Sequence, residues 1–307
     1  MRPLTTKQAT KRQPVSMLMK RLSARIRRVI MPYIVKPAQA RIIITSVPKA
    51  GTHLLEKTVG MLPGYYASGL YIEQFHMPKE TFTNDGSADG ENKQARAKKL
   101  TIGELQAITD TIQPGHYAVG HLVFSKPLAE MLAATGIRVL CILRDPRDIA
   151  VSFSKYVARI ETHYLYNYYQ SLSEHDRLMT TIEGTADVSP FVPRLLDISV
   201  QMKNMLPWRL QSNGYTTYFE KLVGPAGGGS RDAQIAEVTK IAKHLGATCS
   251  QSQIASIADN LFGSTATFRK GEIGDWRNHF TAEHKAAFKR VAGQMLIDLG
   301  YEQDLNW

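Results

Sequence analysis

Residues Arg41–Leu55, RIIITSVPKAGTHLL, constrain the fold of this chain more than any other stretch. A short apolar run ends in Val-Pro-Lys-Ala-Gly-Thr, and a helical pattern begins at once. The junction gathers backbone N–H groups, the Lys49 ammonium and the Thr52 hydroxyl at a helix N-terminus. The first amides of a helix have no internal partner and lie at the positive end of its dipole, so such a junction binds anions. A phosphate or sulfate ester is the expected ligand. The spacing is not that of a Walker A loop, because Lys49 precedes Gly51 and the loop has no earlier glycine. Taken alone, an ordinary strand-to-helix turn explains it as well.

Two later segments add weight. Ile137–Leu143 is a seven-residue, β-branched-rich run that reads as a buried parallel strand. Arg144-Asp145-Pro146 follows, with Pro146 suited to a first helical turn and Ser152 about two turns further on. An arginine at a strand's carboxyl end can give a forked pair of bonds to a phosphate, although a surface Arg-Asp cap is the plainer alternative. In Phe268–Thr281, FRKGEIGDWRNHFT, Arg269 and Lys270 precede Gly271, and Gly274 with Trp276 follows. The glycines argue for an ordered loop, with its cations aimed at an anion and Trp276 as its apolar anchor.

The formal charge of +11 invites a nucleic-acid reading, but its distribution argues against one. Residues 1–40 carry ten Lys or Arg and no acid, leaving 28 basic against 27 acidic residues in 41–307. Within this extension Ser16–Val35 alternates cations with Met, Leu and Ile at helical spacing. Two readings stand: a basic amphipathic helix making peripheral membrane contact through residues 16–35, or a helix docked on the domain with its cations in water. An organelle-targeting peptide also fits the composition. No run approaches a membrane span or a secretion signal. Cys141 and Cys249 give no disulfide framework, no His/Cys spacing suggests a metal, and a reducing, cytoplasmic setting is expected.

Strand–helix pairs recur at 41–46 with 51–61, 116–120 with 126–135, and 137–143 with 147–159. A strand at Tyr215–Phe219 precedes helical stretches at 231–245 and 281–299. Strands interleaved with helices predict an α/β fold with a mostly parallel sheet covered on both faces. Residues 65–98 and 160–190 read as loops on the acceptor side, the polar stretch 83–98 above all. Tyr164, Tyr166, Tyr168 and Tyr169 either line an acceptor pocket or pack into the core.

Together, the three segments resemble the sulfotransferase family that uses 3′-phosphoadenosine 5′-phosphosulfate (PAPS), in its cytosolic branch. The likeness runs over about residues 41–300, with the motifs in order. It implies a P-loop-like three-layer sandwich over residues 41–307, PAPS as sulfate donor, no metal, and a small-molecule, glycolipid or carbohydrate acceptor. It further implies that Lys49, Ala50, Gly51, Thr52 and His53 cradle the 5′-phosphosulfate, while Arg144, Ser152, Arg269, Lys270 and Gly271 hold the 3′-phosphate. His121, at the end of the strand-like stretch HYAVGH, is the expected general base, since a histidine near its ordinary pKa of about 6.5 is mostly neutral at neutral pH. Lys49 is the expected cation at the leaving oxygen.

Several positions depart from the family pattern. Phe219 stands where relatives often carry an adenine-edge tyrosine, Leu54 replaces a tryptophan that packs on adenine, and Val119 replaces a lysine near the catalytic histidine. Val123 replaces the proline that follows the His-Leu pair. The dimer motif across Arg277–Ala286 is half kept, leaving oligomeric state open. A kinase on a related fold and a non-catalytic protein that kept a nucleotide pocket are the competing readings.

Overall fold

The computed structural model describes residues 38–73, 75–76, 98–186, 194–263 and 270–307. The amphipathic stretch 16–35, most of the 83–98 stretch and Arg269 lie outside them. Five parallel strands, β1 (Arg41–Ser46), β2 (Tyr66–Glu73), β3 (His116–His121), β4 (Ile137–Leu143) and β5 (Gly214–Tyr218), form the central sheet in the order β2-β3-β1-β4-β5. The helices that follow in chain order are α1 (Thr52–Met61), α2 (Ile102–Asp110), α3 (Lys126–Ala134), α4 (Pro146–Val157), α5 (Tyr166–Gln170) and α6 (Glu174–Glu183). They continue with α7 (Ile198–Lys203), α8 (Phe219–Leu222), α9 (Arg231–Leu245), α10 (Gln251–Asp259) and α11 (Ala282–Asp298).

Strand pleating sends successive side chains to opposite faces, and β1 supplies both cores. Ile42 and Ile44 join Leu55 and Val59 of α1, Val238 and Ile241 of α9, and Ile254 of α10. Ile43 joins Leu105 of α2, Leu132 of α3, Ile149 of α4, Leu178 of α6 and Phe288 of α11. The expected three-layer sandwich is therefore present. β1 has β3 on one side and β4 on the other, which opens a crevice at their carboxyl ends.

Strand β4 and helix α9 have the bounds expected from sequence, whereas β5 starts and ends one residue early because Phe219 begins α8. The stretches read as loops contain more structure than expected. Residues 66–73 form edge strand β2, whose register shifts between Ala67 and Tyr71, at Gly69 with φ 82°. That irregularity breaks the alternation by which a strand is recognised. Residues 160–190 contain α5 and α6; α6 is capped by Ser173 and packs Leu178 and Ile182 inward. Within the tyrosine cluster, Tyr169 is fully buried and bonded to Thr181, and Tyr164 and Tyr168 pack beside it, so this group forms a small core.

Helix α4 ties the C-terminal segment to the sheet. Buried Asp148 accepts hydrogen bonds from the Gly274 and Trp276 amides at 2.8 and 2.9 Å. Arg147, also buried, pairs with Asp145 and Glu302, and its guanidinium lies 4.0 Å from the Trp276 ring centroid and 4.6 Å from that of Trp307. A buried arginine with two carboxylates and two aromatic faces is satisfied, and removing its partners strands a charge.

Candidate functional site

The crevice at the ends of β1, β3 and β4 is lined by Lys49, Gly51, Thr52, His53, His121, Arg144, Ser152, Phe219, Lys270 and Gly271. Ala50 is fully buried beneath the same loop, and Arg269 lies outside the described residues. Segments far apart in sequence thus meet at one place.

The loop after β1 turns sharply. Lys49 has φ 72°, the one positive value at a non-glycine residue among those described, and Gly51 has φ 109°. Backbone in this region is costly for residues with a Cβ and tends to be kept at functional sites. At Gly51 a Cβ would also come within 2.9 Å of Phe219. Helix α1 has no side-chain cap and no acid in its first turn, so its leading amides and dipole are directed at the crevice. The Thr52 hydroxyl is 2.5 Å from that of Ser46. His53 pairs its imidazole with Glu56 at 2.9 Å, which leaves its backbone amide as its contribution at the helix end.

His121 ends β3 on the opposite wall. Its Nδ1 lies 2.7 Å from the Ser46 carbonyl oxygen, which can only accept, so Nδ1 carries the proton and Nε2 the lone pair. Burial lowers its pKa to about 4, offset in part by the Ser46 bond and aided by the nearby His53 and Lys49 charges. The ring is therefore neutral at neutral pH. Val119, two residues earlier, packs into the α1-side core.

Arg144 leaves the end of β4 with its guanidinium 4.1 Å from the Phe219 ring centroid, while Nη2 donates to the Glu272 carbonyl at 2.8 Å and lies 3.6 Å from Asp148. Its Nε is buried without a hydrogen-bond partner. Phe219 is thus the platform for Arg144, a use its position as a tyrosine substitute did not suggest. Lys270 pairs with buried Asp275 at 3.1 Å, and Gly271 takes φ 68°. Asp148 is held above the ordinary carboxylate range by burial, against the opposing effect of Arg144.

Other lining residues escaped the sequence reading. Tyr156 follows Ser152 by one helical turn on α4, a spacing that would have revealed it. Tyr71, half exposed on β2, meets His121 edge-on at 5.8 Å. Val223, Leu261 and Phe262 make an apolar wall, and Lys57 bonds to the Leu261 and Gly263 carbonyls. No periodicity marks that turn. Among the described residues no group of His, Cys, Asp and Glu could hold a metal, and no helix is long and apolar enough to cross a membrane.

The sulfotransferase domain family profile matches residues 39–197, just over half of the chain. A search of curated proteins by sequence finds no match. Among solved structures, a mouse sulfotransferase complexed with PAP aligns at TM-score 0.55 and 16% identity, covering 89% of this chain and 91% of that one. Retinol dehydratase with androsterone and the inactive cofactor PAP aligns at TM-score 0.52 and 15% identity, over 90% of this chain and 85% of that one. The same enzyme with retinol and PAP gives TM-score 0.52 and 15% identity. At these identities the structural likeness speaks for the fold, and the profile for the family. The chain belongs to the sulfotransferase domain family.

Proposed function

We propose that the protein transfers a sulfuryl group from PAPS to the hydroxyl of an alcohol, phenol or sugar, with His121 as general base. The observation that carries this reading is the convergence of the α1 amides, Lys49, His121, Arg144 and Lys270 on one crevice. The crevice suits a doubly phosphorylated adenosine. An uncapped helix end stands at one part of it, and the buried Arg144 Nε lacks an acceptor that a 3′-phosphate oxygen would supply. Ser152, Lys270 and Gly271 complete that second anion site. The apolar wall of Val223, Leu261 and Phe262 offers a surface for the base.

In this reading His121 Nε2 removes the acceptor hydroxyl proton as the oxygen attacks sulfur, and the S–O bond to the 5′-phosphate breaks. Lys49 and the Gly51–His53 amides neutralise charge on the leaving phosphate oxygen, and the nucleotide leaves as adenosine 3′,5′-bisphosphate. Tyr71, beside His121 and half exposed, supports a flat acceptor at the crevice mouth. The catalytic unit would comprise residues 41–307, because Phe219, Val223, Leu261, Phe262, Lys270 and Gly271 complete the crevice. The retinol dehydratase complexes with androsterone and with retinol favour starting an acceptor search with small apolar alcohols.

Purified protein with radiolabelled PAPS, offered phenols, steroids, retinoids, glycolipids and oligosaccharides, tests the proposal. Label transferred to at least one class is expected. Nucleotide binding with no transfer to any class would favour a non-catalytic role.

A further inference from the structure

Lys49 is poised against a ring that the sulfotransferase reading does not use. Its Nζ lies 4.3 Å from the centroid of Tyr156. Tyr156 and Ser152 are four residues apart on α4, share one helix face and both line the crevice. Behind Tyr156, His163 meets its ring edge-on at 5.9 Å and 88°. His163 is itself stacked on Tyr164 at 4.7 Å and set edge-on against Phe153 at 5.7 Å. Its Nδ1 accepts from the Leu165 amide, and burial lowers its pKa to about 4, so His163 adds no positive charge behind the Tyr156 ring.

We infer that Tyr156 is a positioning residue for Lys49: its ring face holds the ammonium at the transfer point and so sets the rate of sulfuryl transfer. The inference rests on the sulfotransferase reading of the crevice. A lysine has a long, rotamer-rich stem, and catalysis by a fixed charge requires that the charge be in place before the reaction. The left-handed backbone at Lys49 fixes where the stem begins. The electron-rich face of Tyr156 fixes where it ends. The same ammonium lies close enough to His121 to lower its proton affinity, so holding Lys49 in place links base and cation in one geometry.

The test replaces ring electrons without changing ring shape. Tyr156→Phe, the same phenylalanine carrying one, two or three ring fluorines, and Tyr156→Leu are compared for turnover with the best acceptor of the panel, for acceptor KM, and for adenosine 3′,5′-bisphosphate affinity. Tyr156→Phe should stay within about twofold of the parent, because the ring face is kept. Turnover should fall stepwise with fluorination, to about tenfold for the trifluorinated ring and for Tyr156→Leu. Bisphosphate affinity and acceptor KM should hold throughout. Turnover that is flat across the fluorine series, or an effect confined to acceptor KM, overturns the inference while leaving the sulfotransferase reading intact. A parent protein that neither binds the bisphosphate nor transfers sulfate overturns that reading, and the inference with it.

Discussion

His121 Nδ1 stands 2.7 Å from the carbonyl oxygen of Ser46, so the end of one central strand fixes the tautomer of a side chain on the next. This bond turns Nε2 into the acceptor. His121→Ala should lower turnover by roughly 10²–10⁴-fold with bisphosphate affinity nearly unchanged. Turnover within a few-fold of the parent would move the base elsewhere.

The same burial that keeps His121 neutral sets its pH dependence. With a pKa of about 4, it loses its lone pair only as pH falls through about 4, so the acid limb of kcat/KM should lie there. An acid limb near 6.5 would contradict the buried setting. Stability should follow the same sign. His121 and His163 both fall to about 4 in the folded chain, so the unfolded chain binds more protons at mildly acid pH. Their contribution is fully present above about 6.5, the unfolded value, and is lost as pH falls from there through about 4. Thermal unfolding followed across that window should show the midpoint dropping.

Arg144→Ala should weaken adenosine 3′,5′-bisphosphate by about 10- to 100-fold, the range for a lost charge-assisted contact, while adenosine 5′-monophosphate loses little. Calorimetric titration of both ligands reads the difference. Equal losses would show that Arg144 acts through the Phe219 face and the Glu272 carbonyl alone.

Gly51→Ala should damage the crevice directly. The new methyl would meet Phe219 at 2.9 Å in a backbone region that side chains rarely adopt, at a cost of about 1–3 kcal/mol. Chemical denaturation should show that loss, with weaker bisphosphate binding beside it. An unchanged denaturation midpoint would mean that the loop relaxes freely.

Asp148 joins the two outer motifs. Asp148→Ala would leave the Gly274 and Trp276 amides without their acceptor and Arg144 without its neighbouring carboxylate, at a cost of about 3–5 kcal/mol. The variant should unfold earlier and lose bisphosphate affinity together. Stability lost without affinity would separate the C-terminal segment from the ligand site.

The sheet was legible where burial on both faces wrote a plain pattern. Ile137–Leu143 is apolar except at the partly buried Arg138, because helices cover both sides of it, and this pattern marks its bounds. The edge strand Tyr66–Glu73 was not, because its register break falls inside a short segment. At the crevice, the shared placement of Lys49, His121 and Arg144 was legible because each lies at or within three residues of the carboxyl end of a central strand. Arg147 was not: its burial depends on Glu302, Trp276 and Trp307, far along the chain, which local spacing does not reveal. Phe219 looked like a lost hydroxyl contact, and its use as a platform for Arg144 emerged only from three-dimensional packing.

The central proposition is that separated segments grip both phosphates of one nucleotide. Its most direct test is calorimetric titration of the unmodified protein with adenosine 3′,5′-bisphosphate and, separately, with ATP. Saturable one-to-one binding of the bisphosphate, with ATP at least tenfold weaker, is expected. ATP binding as tightly as the bisphosphate, or no binding of the bisphosphate, would contradict the proposition.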